Sequence, residues 1–87
     1  MQVSFSQTTS DEVYTIATGA TATFRSNGIN TARVLNVEIL NLGATIGTIQ
    51  IDGGPVRTVL GGERLSIMRN AQQVSSVSGS FEVVFSL

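Results

Sequence analysis

The chain contains no cysteine, no histidine, no lysine and no tryptophan, and it has a single proline, Pro55. Without cysteine there are no disulfide staples and no thiolate metal ligands. Without histidine the commonest metal ligand and the usual general base are missing. The five basic residues are all arginine and stand against six carboxylates, for a net charge of -1. That balance gives no electrostatic footprint for nucleic acid or for an anionic membrane. No apolar run approaches the roughly 20 residues that cross a bilayer. The opening residues Met1 to Phe5 have neither the basic n-region nor the apolar core of a secretory signal, so the expectation is a soluble chain not exported through the Sec route. Its 87 residues make one domain, short enough to bury only roughly 60 to 65% of its unfolded surface, so oligomerisation is an expected source of added stability.

What is present is serine, threonine, glycine and asparagine, alongside 41% apolar and only 13% charged residues. Disorder needs low hydrophobicity with high net charge, and neither holds, since mean hydropathy is +0.25. Branched threonine suits the exposed face of a pleated sheet better than lysine or glutamate does. Apolar residues recur with period two and hardly anywhere with period 3.6. Val3 and Phe5 alternate with Ser4 and Ser6, and a polar run from Gln7 to Glu12 follows like a short linker. Val13 to Ile16 and Ala20 to Phe24 read as strands broken by Gly19. Asn27-Gly28 is a strong hairpin signal, because a type I′ turn needs positive φ at both central residues. A two-residue loop there pairs Phe24 with Thr31 and Ala20 with Leu35, which places Phe24 and Ala22 on the face of Leu35, Val37 and Ile39.

Further along, Ile49 and Ile51 point inward from Gly47 to Asp52, and Asp52-Gly53-Gly54-Pro55 and Gly61-Gly62 are turns enclosing a strand from Val56 to Leu60. Leu65 and Ile67 form another inward pair. The clearest alternation is the last, with Phe81, Val83, Phe85 and Leu87 set against Glu82, Val84 and Ser86. The expected fold is therefore all-β, a small jelly roll or β-sandwich of about eight short antiparallel strands with an N-terminal arm. Residues 1–12 are the arm or connector and residues 13–87 the sandwich domain. The expected core is Phe24, Leu35, Val37, Ile39, Ile49, Ile51, Leu65, Ile67, Phe81, Val83 and Phe85.

Catalysis finds little to work with. Ser66 or Ser80 as a nucleophile has no histidine, cysteine or lysine to activate it. Asp52 and Glu63 could form a glycosidase pair if brought to one cleft, but solvated carboxylates beside turns are the simpler reading. Asp11-Glu12 lacks the spacing of a calcium loop and reads as solvated linker charge. Gly53-Gly54 and Gly61-Gly62 precede neither a helix nor a lysine, so tight turns explain them better than a phosphate cradle does. A carbohydrate-binding module needs an exposed aromatic platform, and the four Phe fall mostly on inward faces. No enzymatic activity, catalytic residue, metal ligand or cofactor is expected.

A binding or building role remains. Natural sheets blunt their edges with lysine and proline, which this chain nearly lacks. Val3 and Phe5 on a polar tether could add a strand to a neighbour's sheet, with Tyr14, the lone tyrosine, on the same expected subunit interface. An equal alternative makes residues 3–6 the first strand of the chain's own sheet.

The serine-, threonine- and asparagine-rich strand plan, the polar connector, the strand Asn36-Val37-Glu38-Ile39-Leu40-Asn41-Leu42-Gly43 and the strand Phe81-Glu82-Val83-Val84-Phe85 together resemble the small pilin-like subunits of Bacillus endospore appendages. The resemblance spans the whole chain as a pattern of strands rather than a motif. It implies a homopolymeric extracellular fibre on the spore surface in which each connector engages the next subunit, with an anchoring protein of that surface as a further partner. Members of that family cross-link through connector cysteines, whereas this chain has none and would be joined non-covalently. Two other readings stand beside it: a bacteriophage virion protein, as capsid decoration or tail component bound to a phage capsid, and a small carbohydrate-binding module.

Overall fold

The computed structural model describes residues 11–25 and 34–86. These residues form eight strands: β1 (Glu12–Ile16), β2 (Thr21–Thr23), β3 (Asn36–Asn41), β4 (Gly47–Ile51), β5 (Val56–Val59), β6 (Arg64–Ile67), β7 (Gln73–Ser78) and β8 (Phe81–Ser86). Among the described residues no helix is long and apolar enough to cross a membrane. All pairings are antiparallel, in two four-stranded sheets ordered β1-β8-β3-β6 and β2-β7-β4-β5. The pairs β1/β8, β2/β7, β3/β6 and β4/β5 run inward from the chain's ends to its middle. One long antiparallel ribbon has thus been rolled into two layers, which defines an eight-stranded jelly roll.

Alternation sets which face is buried. Along β8, Phe81, Val83 and Phe85 are fully buried while Glu82, Val84 and Ser86 between them are only partly covered. Facing positions on β3 and β4 contribute Val37, Ile39, Ile49 and Ile51. The Phe85 ring lies between two others, with Tyr14 edge-on at 5.9 Å and Phe24 tilted at 5.8 Å. Such aromatic pairs are worth about 0.5–1.5 kcal/mol beyond the area they bury.

The all-β sandwich expected from the sequence is the observed architecture, but one expected pairing is wrong. Ala20 does not pair with Leu35, because β2 and β3 belong to different sheets; Thr31, the expected partner of Phe24, lies outside the described residues. Thr21 to Thr23 pair with Ser75 to Gln73 of β7, and β3 lies between β8 and β6. The Asn27-Gly28 turn itself falls outside the described residues. Leu35 is correspondingly not a core residue: it is 65% exposed, and Val34 takes the buried place instead. The Val34 amide donates to Asn70 Oδ1, so the alternation that buries Val37 and Ile39 stops one residue before β3 begins. Leu65 and Ile67 are only partly buried, as expected of a strand at a sheet edge.

The actual hairpin is β4 to β5. Its turn has Asp52 at φ 53° and Gly53 at φ 70°, with the Gly54 amide donating to the Ile51 carbonyl, the geometry of a type I′ turn. A strand that the sequence reading passed over, β7, is central to its sheet. Phe85→Ala is expected to cost about 3–5 kcal/mol in a urea unfolding experiment, because the ring is fully buried among two others. Leu35→Ala, on an exposed side chain, is expected to stay within about 0.5 kcal/mol of the parent.

Candidate functional site

The strand directions give the sandwich two unlike ends. One end carries the start of β1, the 52–55 turn and the 68–72 loop; the other carries the β1–β2 turn, the 42–46 loop, the Gly61-Gly62 turn and the β7–β8 turn. Asp52 and Glu63, the candidate glycosidase pair, therefore lie at opposite ends and cannot share a cleft. Each has a local task. Asp52 Oδ1 accepts the Gln72 and Gln73 amides at 2.8 and 2.9 Å, and Glu63 Oε1 accepts the Leu60 amide at 3.0 Å. Ser66 sits exposed on β6 and donates to Asn36 Oδ1. No pocket is formed, and no group of three metal-ligating side chains occurs among the described residues.

Of the expected interface residues, Val3 and Phe5 lie outside the described residues. Tyr14 lies in β1, partly buried, with its ring against Phe85 and its hydroxyl donating to Glu12 Oε1 at 2.7 Å. Glu12, read from the sequence as solvated linker charge, is instead the first residue of β1 and only 8% exposed. The same Oε1 accepts the Arg25 amide at 2.8 Å, which ties the start of β1 to the chain leaving β2. Its other oxygen is buried without a hydrogen-bond partner among the described residues. Burial, reinforced by the hydrogen bond to Glu12 and its charge, raises the Tyr14 phenol above the ordinary value of 10.0. With Phe24, Phe81 and Phe85 in the core, no described aromatic offers a sugar-stacking platform.

The end bearing the Gly61-Gly62 turn is organised by Asn41, the last residue of β3 and 2% exposed. Its Nδ2 donates to the carbonyls of Thr45 and Val59 at 2.9 and 3.0 Å, and its Oδ1 accepts the Gly43 amide at 2.9 Å. Its backbone donates to the Glu63 carbonyl and accepts from the Gly62 amide. Gly61 lies so close to the backbone of Ala44 that an added Cβ would stand 2.5 Å from its carbonyl carbon and oxygen. Leu42, Ile46 and Leu60, on the loops so clamped, remain about half exposed or more.

Among the described residues the sheet edges are β1 and β6 in one layer and β2 and β5 in the other. None contains a lysine or a proline. The longest is β1, whose one charged residue, Glu12, is folded inward at its first position, so Val13 to Ile16 present an uncharged edge. Comparison of the chain with family models, with curated proteins and with solved structures gave no match.

Two outcomes follow from this geometry. Tyr14 is the only tyrosine, so a near-ultraviolet absorbance titration reads it alone; the folded protein should titrate above the unfolded one. A raised folded value means that the Tyr14 contribution to stability is complete below the unfolded value and is lost as pH rises through the folded one. Tyr14→Phe should accordingly flatten the alkaline end of the stability profile. Asn41→Asp, nearly the same shape, faces a carboxylate against two carbonyl oxygens. It should lower stability at neutral pH by about 3 kcal/mol or more, with the loss shrinking as acid protonates the new carboxyl.

Proposed function

We propose that the chain is a structural, self-assembling subunit of an extracellular fibre, similar to an endospore appendage or pilus, joined non-covalently through its N-terminal connector and its sheet edges. The observation that carries this reading is the state of the β1 edge: five residues long, free of lysine and proline, with its one charge turned inward. Uncharged edges of that length offer unpaired amides and carbonyls to another chain, and natural monomers usually block them. The chemistry of the surface agrees. Among the described residues there is no pocket for a small substrate and no group of three metal-ligating side chains, and the charge of the chain is nearly balanced. Main-chain hydrogen bonding and shape are what the sheet edges have to offer a partner, and another copy of the chain supplies both.

The jelly-roll topology also supports the second reading, a bacteriophage virion component, since viral capsid proteins share this architecture. That support is analogy of fold alone. Electron microscopy and sedimentation of the purified protein separate the two. Long fibres formed without any other component are expected for the appendage-like subunit, whereas a discrete trimer or ring that extends only on a capsid lattice belongs to the virion part. Phe5→Ser is expected to shift the sedimenting population from long assemblies to small species while leaving the thermal melt of the domain nearly unchanged. A protein that stays monomeric at high concentration over a range of salt would overturn the self-assembly reading.

A further inference from the structure

We propose that the end of the jelly roll built by the 42–46 loop and the Gly61-Gly62 turn is the receiving surface for residues 1–10 of a neighbouring copy, with Val3 and Phe5 seated against Leu42, Ile46 and Leu60. This rests on the reading of the chain as a self-assembling subunit and names the surface at which the connector acts. Leu42, Ile46 and Leu60 are 49%, 61% and 52% exposed. Their loops are held against each other by the Asn41 amide and by the close contact of Gly61 with the Ala44 backbone, so the three exposed apolar residues are carried on two loops fastened together. An exposed apolar group on a rigid frame loses little conformational entropy when it is covered.

Charge separates this end from the other. Among the described residues of its four loops the only charged side chain is Glu63, and that carboxylate already accepts the Leu60 amide. The opposite end carries Asp11, Arg25, Asp52 and Arg69, all exposed. Residues 2–10 contain no charged side chain, so docking them covers one loop carboxylate, Glu63, at the first end and several charges at the second. Geometry assigns the occupant to another copy. β1 starts at the charged end, so the segment before it joins the domain on the side away from the receiving surface. Ten residues reach at most about 35 Å when extended, which sets how far away the receiving surface of a copy stacked on that side can lie.

The absence of cysteine makes the test direct, because any disulfide reports on introduced residues alone. Full-length Phe5→Cys is mixed with full-length Leu60→Cys, allowed to assemble and gently oxidised; the control pairs Phe5→Cys with Val13→Cys, an exposed position on the outer face of β1. The expected result is a cross-linked dimer between the first two at several times the yield of the control. In parallel, the double variant Ile46→Ser, Leu60→Ser should fail to form long assemblies with an unchanged melting temperature. If the unsubstituted protein assembles but Phe5→Cys couples equally well or better to Val13→Cys, the receiving surface lies on the sheet edge and this inference is wrong while self-assembly stands. If one chain carrying both Phe5→Cys and Leu60→Cys cross-links only within itself, the segment folds back on its own domain and the inference is again overturned. If the unsubstituted protein does not assemble at all, the self-assembly reading fails and takes this one with it.

Discussion

The Asn41 amide is the constraint on which one whole end of the molecule depends. A jelly roll must turn the chain from one sheet to the other at its ends, and each crossing leaves backbone groups without ladder partners. At the end of β3 that problem is solved by a single buried side chain that makes three hydrogen bonds, to three different residues, with its own backbone making two more. The amide is one of few groups able to do so, since it offers two donors and an acceptor in a fixed plane without charge. Closing the loop on the Gly61-Gly62 turn then demands that residue 61 have no side chain, because Ala44 occupies the place a Cβ would take. The polar groups of these loops are directed inward to satisfy one another. Leu42, Ile46 and Leu60 are left about half exposed or more on these loops.

The opposite end is fastened by a different device. Glu12 holds the amide of Arg25 and the hydroxyl of Tyr14 on one oxygen, and the Tyr14 ring leans on Phe85, so a buried carboxylate connects the first strand to the central aromatic cluster. Burying a charge is expensive unless its hydrogen bonds are made. That expense is one reason a polar run read as linker up to Glu12 is misjudged by a residue type alone: the glutamate opens β1, and nothing in its immediate sequence distinguishes it from Asp11, which is exposed.

Much of the sandwich was legible because β3, β4 and β8 alternate strictly and each buries its apolar set. Pairing was not. Six of the seven connections in this topology cross between sheets, and only β4 to β5 is a hairpin. A turn signal such as Asn27-Gly28 speaks for local backbone twist and says nothing of which strand lies beside which. Asp52-Gly53 carries the same kind of signal and does join paired strands, so the two could be told apart only by long-range packing. β7 escaped notice because its valines, Val74 and Val77, are three residues apart. Its inward positions are Val74 and Ser76, and an irregularity in its pairing with β4 at Thr48/Ile49 leaves Val77 exposed. The buried Ser76 is accommodated because its hydroxyl donates to the Gly79 carbonyl at 2.6 Å. The proposed assembly surface was legible only as an absence, of lysine on edges and of catalytic side chains; the exposed apolar residues at one end required knowing which loops meet.

The two kinds of contact proposed for assembly have different consequences. Edge pairing between identical strands related by a two-fold axis is self-complementary and closes after two subunits. A segment leaving one end and seated on the other end of the next copy joins unlike surfaces, and repetition of such a contact without closure generates a filament. Each docking buries only two apolar side chains, worth roughly 3 to 6 kcal/mol before ordering costs, so the longitudinal contact alone would leave short, exchanging chains. In the proposed fibre, lateral pairing along uncharged edges such as β1 would supply the further contacts, and each subunit would then gain the stability that a small domain of this size lacks in isolation. A fibre of this kind needs neither cysteine nor metal, because its cohesion is divided among many weak contacts per subunit.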